Sequence, residues 1–231
     1  MTVLCAKSVA IAGRLHPTDL AIARGERVAV IGPNGAGKTS LLRALALSGG
    51  ATGAVTVSGT PLAQASPARR AKLIGYVPAS RDAIWPIRVA DAVADGGASP
   101  DEVAAWMNRL ELQDLATRPL DALSTGERLR AFLARALAPA PPLVLADEPT
   151  ANLDPYWRLR VLDLMAGAAG DGSAVVLTIH DLDDALAWAT RIVALDRGHV
   201  VADGSAGDLA GSDLFARLFR VTRSARGWRA L

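Results

Sequence analysis

Apolar runs alternate with helical patterns along this chain, the arrangement expected of an α/β domain. Residues 26–31 read ERVAVI, a β-branched strand leading into a glycine loop, and residues 38–47 follow as a helix. Residues 54–58 (AVTVS) alternate like a half-exposed strand and stop at Gly59. Residues 73–77 predict another strand. Leu143–Ala146 is short and wholly apolar, as a parallel strand buried on both faces should be, and residues 174–179 repeat that pattern. Residues 191–196 and 199–202 read as a hairpin about Arg197-Gly198. Between 87 and 137 the period becomes helical. Ser99-Pro100-Asp101-Glu102 is a helix start: Ser99 caps, Pro100 fits the first turn, and Glu102 reaches back to close a capping box. Val103, Trp106, Met107 and Leu110 then form one apolar stripe, most simply core packing. The pattern predicts a strand-rich α/β core with a helical insertion, without internal repeats or low-complexity linkers.

Composition narrows the class. The 231 residues are 51% hydrophobic and 21% charged, which excludes a disordered or collagen-like chain. Cys5 is the sole cysteine, so no internal disulfide forms. The long uncharged stretch at 44–68 is crowded with Gly, Ser, Thr and Pro and does not read as a membrane span. Lys7 and Arg14 interrupt any signal-peptide core near the start. A membrane role is therefore expected through a partner. The net charge of +2 is too small to mark a nucleic-acid binder, and no nucleic-acid partner is expected. Arg217, Arg220, Arg223, Arg226 and Arg229 recur every third residue; without them the 23 acidic residues outnumber the basic ones. This tail reads as a solvated surface segment, with contact to anionic lipid or a partner as the alternative.

The chemistry begins with Gly32-Pro33-Asn34-Gly35-Ala36-Gly37-Lys38-Thr39, which matches GxxxxGK[ST] between a strand and a helix; Ser40 follows it. Its glycines let backbone N–H groups wrap phosphate oxygens, and the helix points its positive end at the same anions. Lys38 can reach the β- and γ-phosphates and Thr39 can ligate Mg²⁺. Alone, the motif specifies only nucleotide binding. The apolar run Leu143–Ala146 ends in Asp147 and Glu148, which places Asp147 near Mg²⁺ and Glu148 where it can polarise an attacking water. Paired acids after a strand are common, and the upstream glycine loop gives this pair its meaning. Ser124, in Leu123-Ser124-Thr125-Gly126-Glu127, starts a helix and by itself is an ordinary N-cap. Asn152-Leu153-Asp154 before Pro155 reads as a cap and turn, and His180 as a polar group at a strand end.

In this order and spacing, GPNGAGKT, LSTGE, LVLADEP, ANLD and the histidine of LTIHD resemble the ATP-binding subunit of ABC transporters over nearly the whole chain. The resemblance implies a P-loop NTPase core, an N-terminal antiparallel β subdomain and a helical insertion subdomain. It implies one ABC ATPase domain, with 1–78 and 139–231 as core and about 79–138 as the helical part. Two copies would meet head to tail around two ATPs. Each ATP would touch Lys38 and Thr39 of one copy and Ser124 and Gly126 of the other. Asp154 would contact the opposite copy, and His180 would hold the γ-phosphate beside the base Glu148. Integral membrane permease subunits and a solute-binding protein are the further partners implied, with this subunit peripheral on the cytoplasmic face of the inner membrane. The helical insert and the ending GHVVADGSAGDLAGSDLFARLFRV are similar to importer ATPases for iron–siderophores, haem or vitamin B12.

Three positions depart from the family. Ala79 follows Gly75-Tyr76-Val77-Pro78 where the family has a glutamine that ligates Mg²⁺ and links to the membrane subunit. Thr125 replaces a signature glycine. No aromatic residue precedes Gly32, which leaves Arg14 or His16 to stack on adenine. Ile84, Trp85 and Ile87 are offered to the membrane partner. An exporter ATPase and a nucleotide-gated module of low turnover are the competing readings.

Overall fold

The computed structural model describes residues 1–80, 86–224 and 227–231. Ile84 and Trp85, two of the three apolar positions offered to a membrane partner, lie outside the described residues; Ile87 is half-buried against the core.

The chain opens with an antiparallel layer. β1 (Thr2–Ile11) pairs with β2 (Leu15–Ala23) on one side and with β4 (Thr52–Val57) on the other; β5 (Thr60–Pro61) extends β4. β3 (Arg27–Ile31) leaves this layer and becomes central to a second sheet, and α1 (Lys38–Leu45) follows it. Leu41, Leu42 and Leu45 of α1 are buried in one core with Leu4, Val9 and Ile22 of the antiparallel layer and Val28 and Val30 of β3. α1 is two residues shorter than the pattern predicts, because Leu47 turns to φ 50° and cannot continue a right-handed helix.

α2 (Pro67–Leu73) takes Leu73 from the expected strand, because Ser66 caps the Arg69 N–H and Pro67 opens the helix. β6 (Ile74–Val77) therefore begins one residue later than predicted. The helical insertion follows as α3 (Val89–Ala94), α4 (Pro100–Arg109) and α5 (Thr125–Leu137). Met107 and Leu110 are buried as the stripe predicts, whereas Trp106 is half-buried with the Arg109 guanidinium 5.0 Å from its ring centre. β7 (Leu143–Ala146), α6 (Pro155–Gly170) and β8 (Ala174–Thr178) then return the chain to the central sheet. α7 (Leu182–Trp188), β9 (Arg191–Asp196) and β10 (His199–Ser205) complete it, with the expected hairpin at Arg197-Gly198. The order is β10-β9-β3-β8-β7-β6, parallel except for β10. β3, β7 and β8 are buried nearly throughout, while the edge strand β10 alternates exposed and half-buried positions.

The arginine-rich tail is folded, and Arg217, Arg220, Arg223 and Arg229 are exposed on it, as a solvated surface segment expects. After α8 (Ala206–Ala210) and α9 (Leu214–Phe219), β11 (Val221–Ser224) and β12 (Gly227–Ala230) form a hairpin. Trp228 packs on Phe215 with ring centres 5.1 Å apart and donates its Nε1–H to Asp183 of α7. Arg223 pairs with the same carboxylate at 3.6 Å and Arg217 with Asp213 at 3.1 Å. Two of the repeating arginines thus serve local ion pairs.

Candidate nucleotide-binding site

The glycine loop joins β3 to α1 at the C-terminal edge of the parallel strands, the usual ligand edge of an open α/β sheet. Gly32 and Gly37 are required there by geometry. A Cβ on Gly32 would meet the Leu195 carbonyl oxygen at 2.4 Å, and one on Gly37 the Arg14 oxygen at 2.9 Å, both at positive φ. The loop borders a cleft of about 620 Å³ lined by Arg14, His16, Asn34, Gly35, Gly37, Lys38, Thr39, Ser40, Glu148, Arg197 and Gly198, together with Gly13. Ala36 lies in the loop but packs into the core at 3% exposure, and its carbonyl accepts the Gly198 N–H.

Lys38 is 7% exposed. Its Nζ donates to the carbonyls of Gly32 at 2.8 Å and Pro33 at 3.2 Å, so the loop itself fixes the ammonium. Burial lowers its pKa, and the charges of Glu148 and Asp147 act in the opposite direction. Those two carboxylates stand at the end of β7, two strands from β3, and differ sharply. Asp147 is 1% exposed; its Oδ1 accepts the Thr178 hydroxyl at 2.7 Å, and its Oδ2 is buried without a hydrogen-bond partner among the described residues. Glu148 takes a left-handed φ of 50°, and its Oε1 accepts from His180 Nε2 at 2.6 Å.

A buried, partnerless carboxylate oxygen is costly unless a cation meets it. Among the described residues no three His, Cys, Asp or Glu side chains cluster as a metal cage. The partnerless oxygen suits Mg²⁺, which usually takes one or two protein oxygens plus substrate phosphates.

The other expected residues stand outside this cleft. Ser124 caps α5, accepting the Glu127 N–H at 3.3 Å, while Glu127 accepts the Ser124 N–H at 2.8 Å. Hydrogen bonds to it from the Ser124 hydroxyl and then from the Ser124 N–H hold the Glu127 carboxyl below its usual value. The sequence reading saw the cap and missed this reciprocal box, although Ser-x-x-Glu is its signal. Gly126 has open space where a Cβ would be. Asp154 caps α6 by accepting the Trp157 N–H at 2.9 Å. The structure adds two residues that sequence reasoning missed. Thr178 has no local motif to announce it. His199 stacks on His16 with ring centres 3.7 Å apart and planes 13° apart, so one face of His16 already has an aromatic neighbour.

A glycine loop around a buried lysine, with a carboxylate pair two strands away, defines a P-loop nucleotide-binding protein. Comparison with known proteins narrows the class. Residues 15–151 match the model of the ABC transporter family. The hemin import ATP-binding protein HmuV of Nocardia farcinica is 41% identical over 217 residues, 89% of this chain and 75% of that protein. HmuV of Streptomyces coelicolor is 39% identical over 89% of this chain and 77% of its own length. A dimeric ATP-binding cassette in a post-hydrolysis state bound to ADP and Pi superposes with a TM-score of 0.76 at 26% identity, over 88% of this chain and 98% of that one. The chain belongs to the ABC transporter ATP-binding family and is an ATP-hydrolysing cassette.

Proposed function

We propose that this cassette powers a membrane importer for hemin or a related iron chelate. The 41% identity to a hemin import ATP-binding protein over most of both chains supports the cargo class. The chain would dock peripherally at the cytoplasmic face of integral permease subunits, with a solute-binding protein delivering cargo on the other side. Among the described residues no helix is long and apolar enough to cross a membrane, which agrees with a role through partners.

The observation that carries the enzymatic reading is the pairing of Glu148 with His180 beside the lysine loop. The backbone from Gly32 to Gly37 and the amides of Thr39 and Ser40 cradle the phosphates, and Lys38 neutralises them. Thr39 and Asp147 would hold Mg²⁺, which supplies charge neutralisation at the phosphates. Glu148 accepts the proton of the attacking water. His180, already hydrogen-bonded to that carboxylate, orients it and reaches the γ-phosphate. Ser124 and Gly126 stand outside the cleft because they serve the ATP of a second copy, to which Asp154 is presented by its turn. Arg14 and His16 line the side of the cleft where the base would lie.

The test is reconstitution with the permease pair in liposomes. The wild-type chain should drive ATP-dependent hemin uptake. Glu148→Gln should bind ATP, accumulate as a dimer and transport nothing, with turnover down by about 10²–10⁴-fold. Hemin-independent behaviour of the wild-type complex would refute the cargo, and wild-type turnover of Glu148→Gln would refute the base.

A further inference from the structure

Thr178 ends β8 and is completely buried. β7 and β8 pair in parallel, with Ala146 opposite Leu177, so the next residues of the two strands, Asp147 and Thr178, lie side by side. The Thr178 Oγ1 lies 2.7 Å from Asp147 Oδ1 and 2.7 Å from the Glu148 amide nitrogen. The direction of both bonds is fixed by valence. An amide N–H only donates, so the hydroxyl accepts from Glu148. Its single proton is then given to Asp147 Oδ1.

We propose that Thr178 is a positioning residue that orients Asp147 for Mg²⁺ and holds the backbone of Glu148, through one hydroxyl bonded to both. The proposal rests on the nucleotide-site reading above and assigns a part to a residue outside its motifs.

The consequence for Asp147 is selection between its two oxygens. Oδ1 is occupied by the hydroxyl, and Oδ2 alone remains, buried and without a partner. A carboxylate with both oxygens uncommitted would rotate about its last bond; with Oδ1 tied, Oδ2 points one way. Outer partners of this kind fix ligand orientation and tune affinity for the metal. The consequence for Glu148 is different. A glutamate at φ 50° sits in a region that L-residues enter at a cost, and the environment must hold it there. The Thr178 hydroxyl anchors its amide, so the side chain leaves toward His180 Nε2 at 2.6 Å. One hydroxyl therefore sets both the carboxylate expected to face the cation and the carboxylate expected to face water.

Ordinary packing in a β-strand explains a β-branched residue here but not its oxygen. Valine has nearly the same shape and a high strand preference. It would leave the Glu148 N–H and Asp147 Oδ1 without their partner.

The experiment compares Thr178→Ser, Thr178→Cys and Thr178→Val with wild type in the full chain. ATP affinity is measured by titration calorimetry in Mg²⁺ and again in EDTA, Mg²⁺ is titrated into the ATP-bound protein, and folding is followed by thermal melting. In Thr178→Val the Mg²⁺ concentration needed for half-maximal effect should rise by about ten- to a hundredfold. Its affinity for ATP in EDTA should stay within about twofold, because the phosphate loop is untouched. Serine keeps the hydroxyl and should restore the wild-type Mg²⁺ midpoint. Cysteine, a weak donor, should fall between, and it carries the test if the valine variant does not fold. A Mg²⁺ midpoint unchanged in valine or cysteine overturns the proposal. Equal losses of ATP affinity with and without Mg²⁺, accompanied by a lower melting temperature, also overturn it, because they describe a purely structural threonine. Failure of the wild-type chain to bind ATP would instead refute the nucleotide site itself.

Discussion

α1 and α5 both begin at sites where the family resemblance places phosphate, yet their first turns are built in opposite ways. α1 starts after Gly37 with no side-chain cap and no acid in its first turn. Its first N–H groups open onto the cleft, and its lysine is buried. α5 starts with a complete capping box from Ser124 and Glu127 and stands outside that cleft. A helix leaves four N–H groups without helical partners at its start, and anything that satisfies them is stabilising. At α1 the protein supplies no side chain for that purpose, and in the proposed function the phosphates of ATP fill that role. At α5 the Glu127 carboxylate takes the first of these groups, from Ser124, and the Ser124 hydroxyl takes the fourth, from Glu127; beside the two that remain, Gly126 has open space where a Cβ would be. The first end is left open by its own chain, and the second is a stable, self-capped helix end; in the proposed function the first receives phosphate from its own copy's ATP and the second from another copy's.

Lys38→Ala should break the first end most severely. The lysine lies under 10% exposed with two carbonyl partners, and the proposed function gives its charge to the phosphates. A charge-assisted contact of this kind contributes on the order of 1.5–3 kcal/mol, so ATP affinity of the single chain should fall by about tenfold or more. Titration calorimetry on the isolated protein reads this directly. Unchanged affinity would mean that the cleft is not where the phosphates go.

Gly126→Asp should break the second end and leave the first intact. Nothing lies within 4 Å of a Cβ built on Gly126, so the fold accepts a side chain. An aspartate in a first helical turn even suits the helix dipole. Its charge would repel a phosphate presented by a second copy. ATP affinity of the single chain and the melting temperature should therefore hold, while turnover and ATP-dependent dimerisation fall by about tenfold, the penalty of roughly 1.4 kcal/mol. A parallel loss of single-chain ATP affinity would place α5 in the cleft of its own chain and make the two helix starts alike.

The same contrast separates what could be read from the sequence. The glycine loop, the run Leu143–Ala146 with its two acids, and the Ser99 cap are contiguous, and each states its chemistry within about ten residues. Thr178 acts on Asp147, 31 positions away, through the register of two parallel strands. The Trp228 contact with Asp183 spans 45 residues and docks the hairpin of the tail on α7, while its described arginines stay exposed. β1 was hidden for another reason. Register shifts at Ala6/Val9 and Val9/Ile11, and Ser8 at φ 48°, disturb the two-residue alternation by which a strand is recognised. Local chemistry was legible, and pairings between distant segments were not.

The smallest effect belongs to Ser99, and it calibrates the signature helix. The α4 box has the same parts as the α5 box: Ser99 Oγ accepts the Glu102 N–H at 3.4 Å, and Glu102 accepts the Ser99 N–H at 2.7 Å and its hydroxyl at 2.8 Å. Its first turn, however, carries Pro100, which has no N–H, and the acid Asp101, so it is unsuited to an anion. Ser99→Ala should cost about 0.5–2 kcal/mol in thermal or urea unfolding, and leave ATP affinity and turnover unchanged. The bonds from Ser99 hold the Glu102 carboxyl below its ordinary value of 4.5. A depressed carboxylate contributes its stability above the unfolded value and loses it as pH falls through the folded one. The charge-assisted part of the Ser99 cap should therefore fade on acidification below that value, and the gap between wild type and Ser99→Ala should narrow without closing. Melting curves at neutral and acid pH read this. A turnover loss in Ser99→Ala as large as that in Gly126→Asp would erase the distinction between a helix start that only holds the fold and one that also receives a phosphate.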